Sequence, residues 1–362
     1  MRALRVVAAL AVAALPACGG EIRPAGSGDG DGAAAADVGP SDAAPADASG
    51  ASDRAADSAS ADATGGADVG GGDAVPGADA GGPDAGGGAI PAAPVAGYRL
   101  VFAQDFTTMT ALEVSPWTIG TGTWIAHTPK AQDWFTFIDP GDNYNPFGIG
   151  DGQLTIRVAK RGYGDPNNWF SGYSGGLLCS MDNTGAGFAQ HYGYFEVSMW
   201  CPGGLNTWPA FWLLDAMSLV TGGIAGAEID IVEQYGNWGS PPDNADPNNY
   251  MATWHLWANG TGSNAGEGFP VAAPGLVDGY HQFGVDIEPD SIVWYYDRTE
   301  VARAPAYDEV KRPMYLLLNL ALGGGTYNNA AHDGYDWNLT PDPSDLKVRY
   351  VAVWASPNSP NF

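Results

Sequence analysis

Residues 227–233 read Ala-Glu-Ile-Asp-Ile-Val-Glu, so Glu228, Asp230 and Glu233 stand close together with only Ile and Val between them. Carboxylates gathered in this way suit a two-step displacement. One acts as nucleophile and another gives and takes a proton, while crowding splits their pKa values so that both forms coexist. In a strand, side chains alternate between faces. Glu228 and Asp230 then share one face, and strict alternation turns Glu233 away. A one-residue bulge at Ile231–Val232 returns Glu233 to the acidic face, and bulges often re-aim side chains in this manner. The two glutamates would then be four strand positions apart, roughly 13 Å along the backbone at ~3.3 Å per residue. Leaning across a concave face, their side chains can approach the roughly 5–5.5 Å of a pair that works through a covalent intermediate. Like charges on one strand face repel, and no Lys or Arg is interleaved here to relieve them, which a purely structural strand has no reason to keep.

The elements that must position these acids read as short β segments. They are 98–105, 153–158, 175–179, 193–199, 210–214, 228–234, 250–257, 281–287, 291–296, 315–322 and 346–354. Turn signals such as Asp151-Gly152, Pro202-Gly203 and Glu288-Pro289-Asp290 separate them. No helical period persists and no internal repeat is present, so the pattern suits a two-sheet sandwich. The 13 Trp all lie at or beyond Trp117. Indole rings fit the flat C–H faces of sugars, although Trp also fills cores. In TWPAFWLLD (207–215), alternation places Trp208 and Trp212 on one face and Phe211 on the other. Asn319, in a run of leucines, is an amide that must find partners and is a candidate polar group of a cleft.

The segment EIDIVE resembles the active-site strand of glycoside hydrolase family 16 in its bulged E-x-D-x-x-E form. The likeness extends from about Tyr98 to Trp354, through GYFEVSMWCPGGLNTWPAFWLLD (193–215), TWHLW (253–257), YHQFGVDIEPDSIVWYYDRTEV (280–301) and YLLLNLALGGG (315–325), in the family's order. This resemblance implies an all-β jelly-roll sandwich of two curved antiparallel sheets with a concave glycan-binding cleft. It implies endo-acting cleavage of a β-linked polysaccharide with retention, Glu228 as nucleophile, Asp230 as its assistant and Glu233 as acid/base. It further implies Trp208 and Trp212 along the cleft and His255 reaching toward the acids. Trp254 and Trp257, on either side of that histidine, are further candidates for substrate contact as tryptophans of the same Trp-rich setting. No cofactor is implied. Family members often hold a structural calcium through an Asp in the last strand; Arg349 stands at that position here, so no metal is expected. The expected substrate is a glucan or exopolysaccharide with β-1,3 or mixed β-1,3-1,4 linkages. Residues 174–180 lack the Arg that many laminarin-cleaving relatives carry, and the GYFE, TWPAFW and WYYDR segments look more like the bacterial exopolysaccharide-depolymerising branch. A transglycosylase would share the same covalent step, and a glycan-binding lectin is the non-catalytic alternative, against which all three retained acids argue.

The ends of the chain carry other signals. Residues 1–18 read as an export signal: Arg2 and Arg5, an apolar run from Val6 to Leu15, then Leu15-Pro16-Ala17-Cys18. That tetrad resembles a lipobox, making Cys18 the lipidation candidate and the protein a cell-envelope lipoprotein, of the outer membrane, or else secreted. Residues 19–92 are expected to be a disordered linker of Ala, Gly, Asp, Pro and Ser, since so polar a stretch cannot bury enough apolar surface to fold. Residues 93–362 are expected to form one catalytic domain, acting as a monomer. The formal net charge of −26 argues against nucleic acid, whose phosphates need a basic footprint. Beyond Cys18 only Cys179 and Cys201 remain. They are placed on either side of a hairpin turning near Asn183–Tyr192, in a register that leaves them as two buried thiols rather than a disulfide.

Overall fold

The computed structural model describes residues 90–110, 112, 114–116, 124–126, 130–131, 135–137, 145–160, 173–182, 184–221, 226–236, 247–257, 264–322 and 343–360. The export signal, Cys18 and nearly all of the expected linker lie outside these residues. The described strands are β1 (Arg99–Asp105), β2 (Val114–Pro116), β3 (Trp124–Ala126), β4 (Lys130–Ala131), β5 (Phe135–Phe137), β6 (Phe147–Gly150), β7 (Gln153–Lys160), β8 (Tyr173–Cys179) and β9 (Gly193–Trp200). They continue with β10 (Thr207–Asp215), β11 (Gly226–Gln234), β12 (Asn249–Trp257), β13 (Asn264–Ala272), β14 (His281–Ile287), β15 (Ser291–Tyr296), β16 (Thr299–Pro305), β17 (Met314–Leu322) and β18 (Ser344–Ala355). One short helix, α1 (Ala216–Thr221), follows β10.

These strands form the jelly-roll sandwich that the sequence suggests. One sheet runs β16-β15-β14-β9-β18, with β7 and β1 sharing the far side of β18 and β6 beyond β7. The other runs β13-β12-β11-β10-β17-β8-β3-β2. Pairing is antiparallel except for two short parallel contacts, β2 with β3 and β5 with β8. The strands β13 and β16 were not evident in the sequence. Their runs, NAGEGFPVA and TEVARAP, are diluted by Gly, Pro and charge, and both lie at sheet edges where such residues are tolerated. The segment between β8 and β9 is not a hairpin joining those two strands. β8 pairs with β17, whereas β9 pairs with β14 and β18, so the chain crosses from one sheet to the other there. Cys179 and Cys201 are both buried thiols.

Period-two alternation builds the core. Phe195, Val197 and Met199 of β9, Phe283, Val285 and Ile287 of β14, and Leu316, Leu318 and Leu320 of β17 are all inaccessible to solvent. The outer face of the first sheet is covered as well. Tyr194, Tyr350, Ala352 and Trp354 meet Ile90, Ala93, Val95 and Tyr98 from the start of the described chain. The Tyr98 hydroxyl donates to the carboxylates of Asp286 and Glu288, fixing that segment. On the same face Arg349 stacks its guanidinium 3.8 Å above the Tyr280 ring.

The bulge in β11 is present where the acids demand it. Asp230 pairs with Trp212 and Val232 with Phe211, which leaves Ile231 as the inserted residue. On the other side Asp230 faces Thr253 and Glu233 faces Met251. Ile231 and Val232 are both buried, so the irregularity adds apolar surface to the core as it turns Glu233 outward. At the bulge the backbone carbonyl of Asp230 accepts a hydrogen bond of 3.0 Å from the indole of Trp294, which crosses from the opposite sheet. Trp294→Phe is expected to destabilise the protein by about 2–5 kcal/mol, from a buried carbonyl left unpaired together with lost core volume. Urea denaturation followed by fluorescence measures this, and a change under about 1 kcal/mol would contradict the role given to the indole.

Candidate active site

The site is built from three adjacent strands of the second sheet. β11 supplies the acids, and β10 and β12 flank it. Opposite Glu228 stands His255, and opposite Asp230 stand Thr253 on one side and Trp212 on the other. Since facing residues share a sheet face, His255, Thr253, Trp257, Trp208 and Trp212 all lie on the acidic face. Pro209 has no N–H to give, and the pairing of β10 with β11 starts only at Ala210, so the proline costs that ladder nothing.

Each outer acid is gripped by an indole. The Trp257 Nε1–H donates to Glu228 Oε2 at 2.8 Å, and the Trp208 Nε1–H donates to Glu233 Oε1 at 3.1 Å. The Tyr235 hydroxyl also hydrogen-bonds Glu233, and its ring centroid lies 5.6 Å from that of Trp208. Between the glutamates, Asp230 Oδ2 faces His255 Nε2 at 3.4 Å, and this oxygen is buried without a hydrogen-bond partner. Glu228, Asp230 and His255 each bring one polar atom within 4.8 Å of the others. The His255 ring leans on Trp257, and its backbone carbonyl accepts from the Tyr307 hydroxyl at 2.9 Å.

Burial sets the electrostatics. Asp230 is 3% exposed and Glu233 8% exposed, while Glu228 is partly open to solvent. Loss of hydration raises the pKa of all three acids above the ordinary carboxylate range. Glu233 is pushed up to about 8, chiefly by burial and then by the charge of Asp230, against the opposing pull of His255, Tyr235 and Trp208. Glu228 is likewise pushed up to about 8, chiefly by burial and then by the charges of Asp230 and Glu233, against His255 and its bond from Trp257. An acid kept protonated and a neighbour able to ionise are what a carboxylate pair needs to run acid/base chemistry near neutral pH.

The other expected residues divide. Trp208 and Trp212 lie on the acidic face, as alternation requires, yet both are nearly buried and both spend their N–H on protein groups. Asn319 is a bracket within that wall: it accepts from Trp212 Nε1 at 2.8 Å and its amide donates to the Trp208 carbonyl at 3.5 Å. Trp254 does not join the site. It pairs with Ile229, faces the core side of β12, and lies with its ring 5.0 Å from Tyr307. Its neighbours Thr253 and His255 take the acidic face, so the same alternation that admits them excludes Trp254. Tyr235, Trp294 and Tyr307 were not singled out from the sequence. Tyr235 follows Glu233 by two residues and could have been found by period two; Trp294 and Tyr307 come from segments distant in sequence and carry no local signal.

A two-sheet sandwich with carboxylates on the face of a bulged central strand, walled by tryptophans, is the architecture of a carbohydrate-active fold. The chain belongs to glycosyl hydrolases family 16, whose model matches residues 145–339. It is 33% identical over 231 residues to Endo-1,3-1,4-beta-glycanase ExsH of Rhizobium meliloti (strain 1021), covering 62% of this chain and 43% of that relative. It is 34% identical over 223 residues to Endo-1,3-1,4-beta-glycanase EglC of the same organism, covering 60% of this chain and 41% of that one. The chain therefore matches under half the length of either relative. Its fold resembles the laminarinase catalytic domain from Thermotoga maritima MSB8, with a TM-score of 0.54 at 20% identity, over 72% of this chain and 99% of that one.

The raised pKa of Glu233 links activity-site burial to stability. An acid whose folded pKa exceeds its unfolded value stabilises the fold fully below the unfolded pKa. As pH rises, the unfolded chain ionises first, and that contribution is lost by pH about 8. Glu233→Gln is thus expected to be more stable than wild type at pH 8 by about 4 kcal/mol and nearly equal to it at pH 4. Denaturant titrations at the two pH values test this, and equal differences at both would contradict it.

Proposed function

We propose that this protein is a retaining, endo-acting glycoside hydrolase that cleaves β-1,3 or mixed β-1,3-1,4 linkages in a glucan or exopolysaccharide. The observation that carries the reading is the bulged strand on which Glu228 and Glu233 share a face, each held by an indole N–H from a different flanking strand. Family membership and the names of the two Rhizobium relatives support the linkage class.

In the proposed reaction Glu228 attacks the anomeric carbon while Glu233 protonates the departing oxygen. The bond to the leaving sugar breaks and a glycosyl ester forms on Glu228. Water then gives its proton to Glu233 and its oxygen to the anomeric carbon, freeing the nucleophile with net retention. Asp230, buried between the two and without a hydrogen-bond partner at Oδ2, is itself held above the ordinary carboxylate range by burial; whenever it is ionised its charge raises the pKa of Glu233. The Trp208 and Trp212 rings form the wall beside the acids. Export, with Cys18 as the lipid attachment point, belongs to the same proposal and is supported by the N-terminal sequence pattern.

Glu228→Gln is expected to lower kcat on a soluble β-1,3-glucan on the order of 10⁴-fold while leaving the circular dichroism spectrum unchanged. Proton NMR of early products should show the β-anomer first; the α-anomer first, or wild-type turnover by the variant, would overturn the reading. A lectin would bind the polymer without releasing reducing ends, and a transglycosylase would lengthen it. The alkaline limb of the kcat/KM profile should fall near pH 8, set by loss of the Glu233 proton. In Asp230→Asn the like charge is gone, so that limb should move down by about one pH unit.

A further inference from the structure

The acidic face has one polar contact to Glu228 from a side chain that the sequence suggests only as a substrate contact. Trp257 closes β12, and its indole N–H donates to Glu228 Oε2 at 2.8 Å. The ring is held by His255, 5.4 Å away between centroids and inclined by 31°. His255 is itself fixed from two sides, by its place opposite Glu228 in the ladder and by the Tyr307 hydroxyl on its carbonyl. The indole therefore has little freedom to swing away.

We propose that Trp257 is the positioning residue of the nucleophile: it occupies Oε2 of Glu228, fixes the plane of the carboxylate, and leaves Oε1 as the oxygen that attacks. The inference rests on the reading of Glu228 given above. A neutral N–H bonded to a carboxylate favours the ionised form, so the same contact keeps the nucleophile charged while its surroundings oppose that charge. The other groups acting on Glu228 are Asp230 and Glu233 on its own strand, which push its proton on, and His255 on β12, which pulls it off. Tyr307, on the segment before β17, also lies within electrostatic reach of Glu228 and is neutral in this range. Only Trp257 donates a hydrogen bond to Glu228 among the described residues.

Trp208 provides the internal control, because it makes the equivalent bond to Glu233. Removing a donor from an acid raises that acid's pKa. Trp257→Phe should move the acidic limb of the kcat profile, governed by Glu228, up by about one pH unit and leave the alkaline limb in place. Trp208→Phe should do the reverse, moving the alkaline limb up and leaving the acidic limb. At the pH optimum Trp257→Phe should lose about tenfold to a hundredfold in kcat with a smaller change in KM, since the loss is of nucleophile alignment. Trp257→His places a ring nitrogen close to the original Nε1 and should recover part of that kcat. The experiment uses the folded chain and a soluble β-1,3-glucan, with thermal unfolding recorded for each variant. An unmoved acidic limb in folded Trp257→Phe, or no recovery in folded Trp257→His, overturns the positioning role. If Glu228→Gln retains activity, the functional reading itself fails, and that outcome is distinct from either.

Discussion

Glu228 and Glu233 are five residues apart, and a regular strand sends residues at an odd separation to opposite faces. Everything the site does depends on β11 breaking that rule once. The break is held in three ways. Ile231 and Val232 both enter the core, so reversing the bulge would expose one of them or bury Glu233. Phe211 and Trp212 on one neighbour, and the single residue Ala252 between Thr253 and Met251 on the other, are in register only with an extra residue in β11. The Trp294 indole then reaches across the sandwich to the carbonyl of Asp230. A local backbone irregularity is thereby tied to the opposite sheet, which explains why a sandwich, rather than a single exposed sheet, can hold these acids in line.

With the line fixed, desolvation becomes the working force. Three carboxylates in a partly dry groove cannot all ionise, and the pKa of each rises. The flanking strands then sort them. Glu228 receives one indole and lies opposite His255; Glu233 receives another indole and the Tyr235 hydroxyl but is the more buried acid. The two acids are raised alike, to about 8, and differ in their depth and in the donors each receives. This arrangement is obtained without any Lys or Arg in hydrogen-bonding contact with them among the described residues. A guanidinium there would hold an acid ionised and would abolish the proton donor.

The short acidic motif made the bulge, the shared face and the three acids legible, because each follows from residue type and a period of two. The same alternation identifies Trp208, Trp212, His255 and Trp257 as facing the acids, and applied to β12 it would have excluded Trp254, whose neighbours on either side face outward. Residue type suggested Trp254 where local geometry opposed it. Asn319 read as a cleft residue because an amide in a leucine run must bond to something; which partner it takes, two tryptophans of the next strand, depends on the register between β10 and β17, which no local pattern encodes. The sheet change between β8 and β9 was hidden for a similar reason. Two apolar strands joined by a polar segment look alike whether they pair with each other or with distant strands.

Two buried acids outside the site, Glu196 and Asp215, contrast with the three on β11. Glu196 is fully buried on the outer side of the first sheet, yet Arg298 grips both its oxygens at 2.9 and 3.0 Å and the Tyr350 hydroxyl adds a third bond at 2.8 Å. Asp215, at the end of β10, accepts from the Arg312 guanidinium and from the Met217 backbone, both at 2.8 Å. Glu196 and Asp215 are thus each paired with a cation and have donors on both oxygens, the arrangement that makes a buried charge tolerable. Glu228 and Glu233 have neutral donors, and Asp230 Oδ2 has none. A chain that could supply Arg298 and Arg312 to its structural acids, yet leaves this trio with indoles and a hydroxyl, keeps there a free proton and a free lone pair. Those are the two things a sugar acetal must be offered at the same moment if its bond is to break.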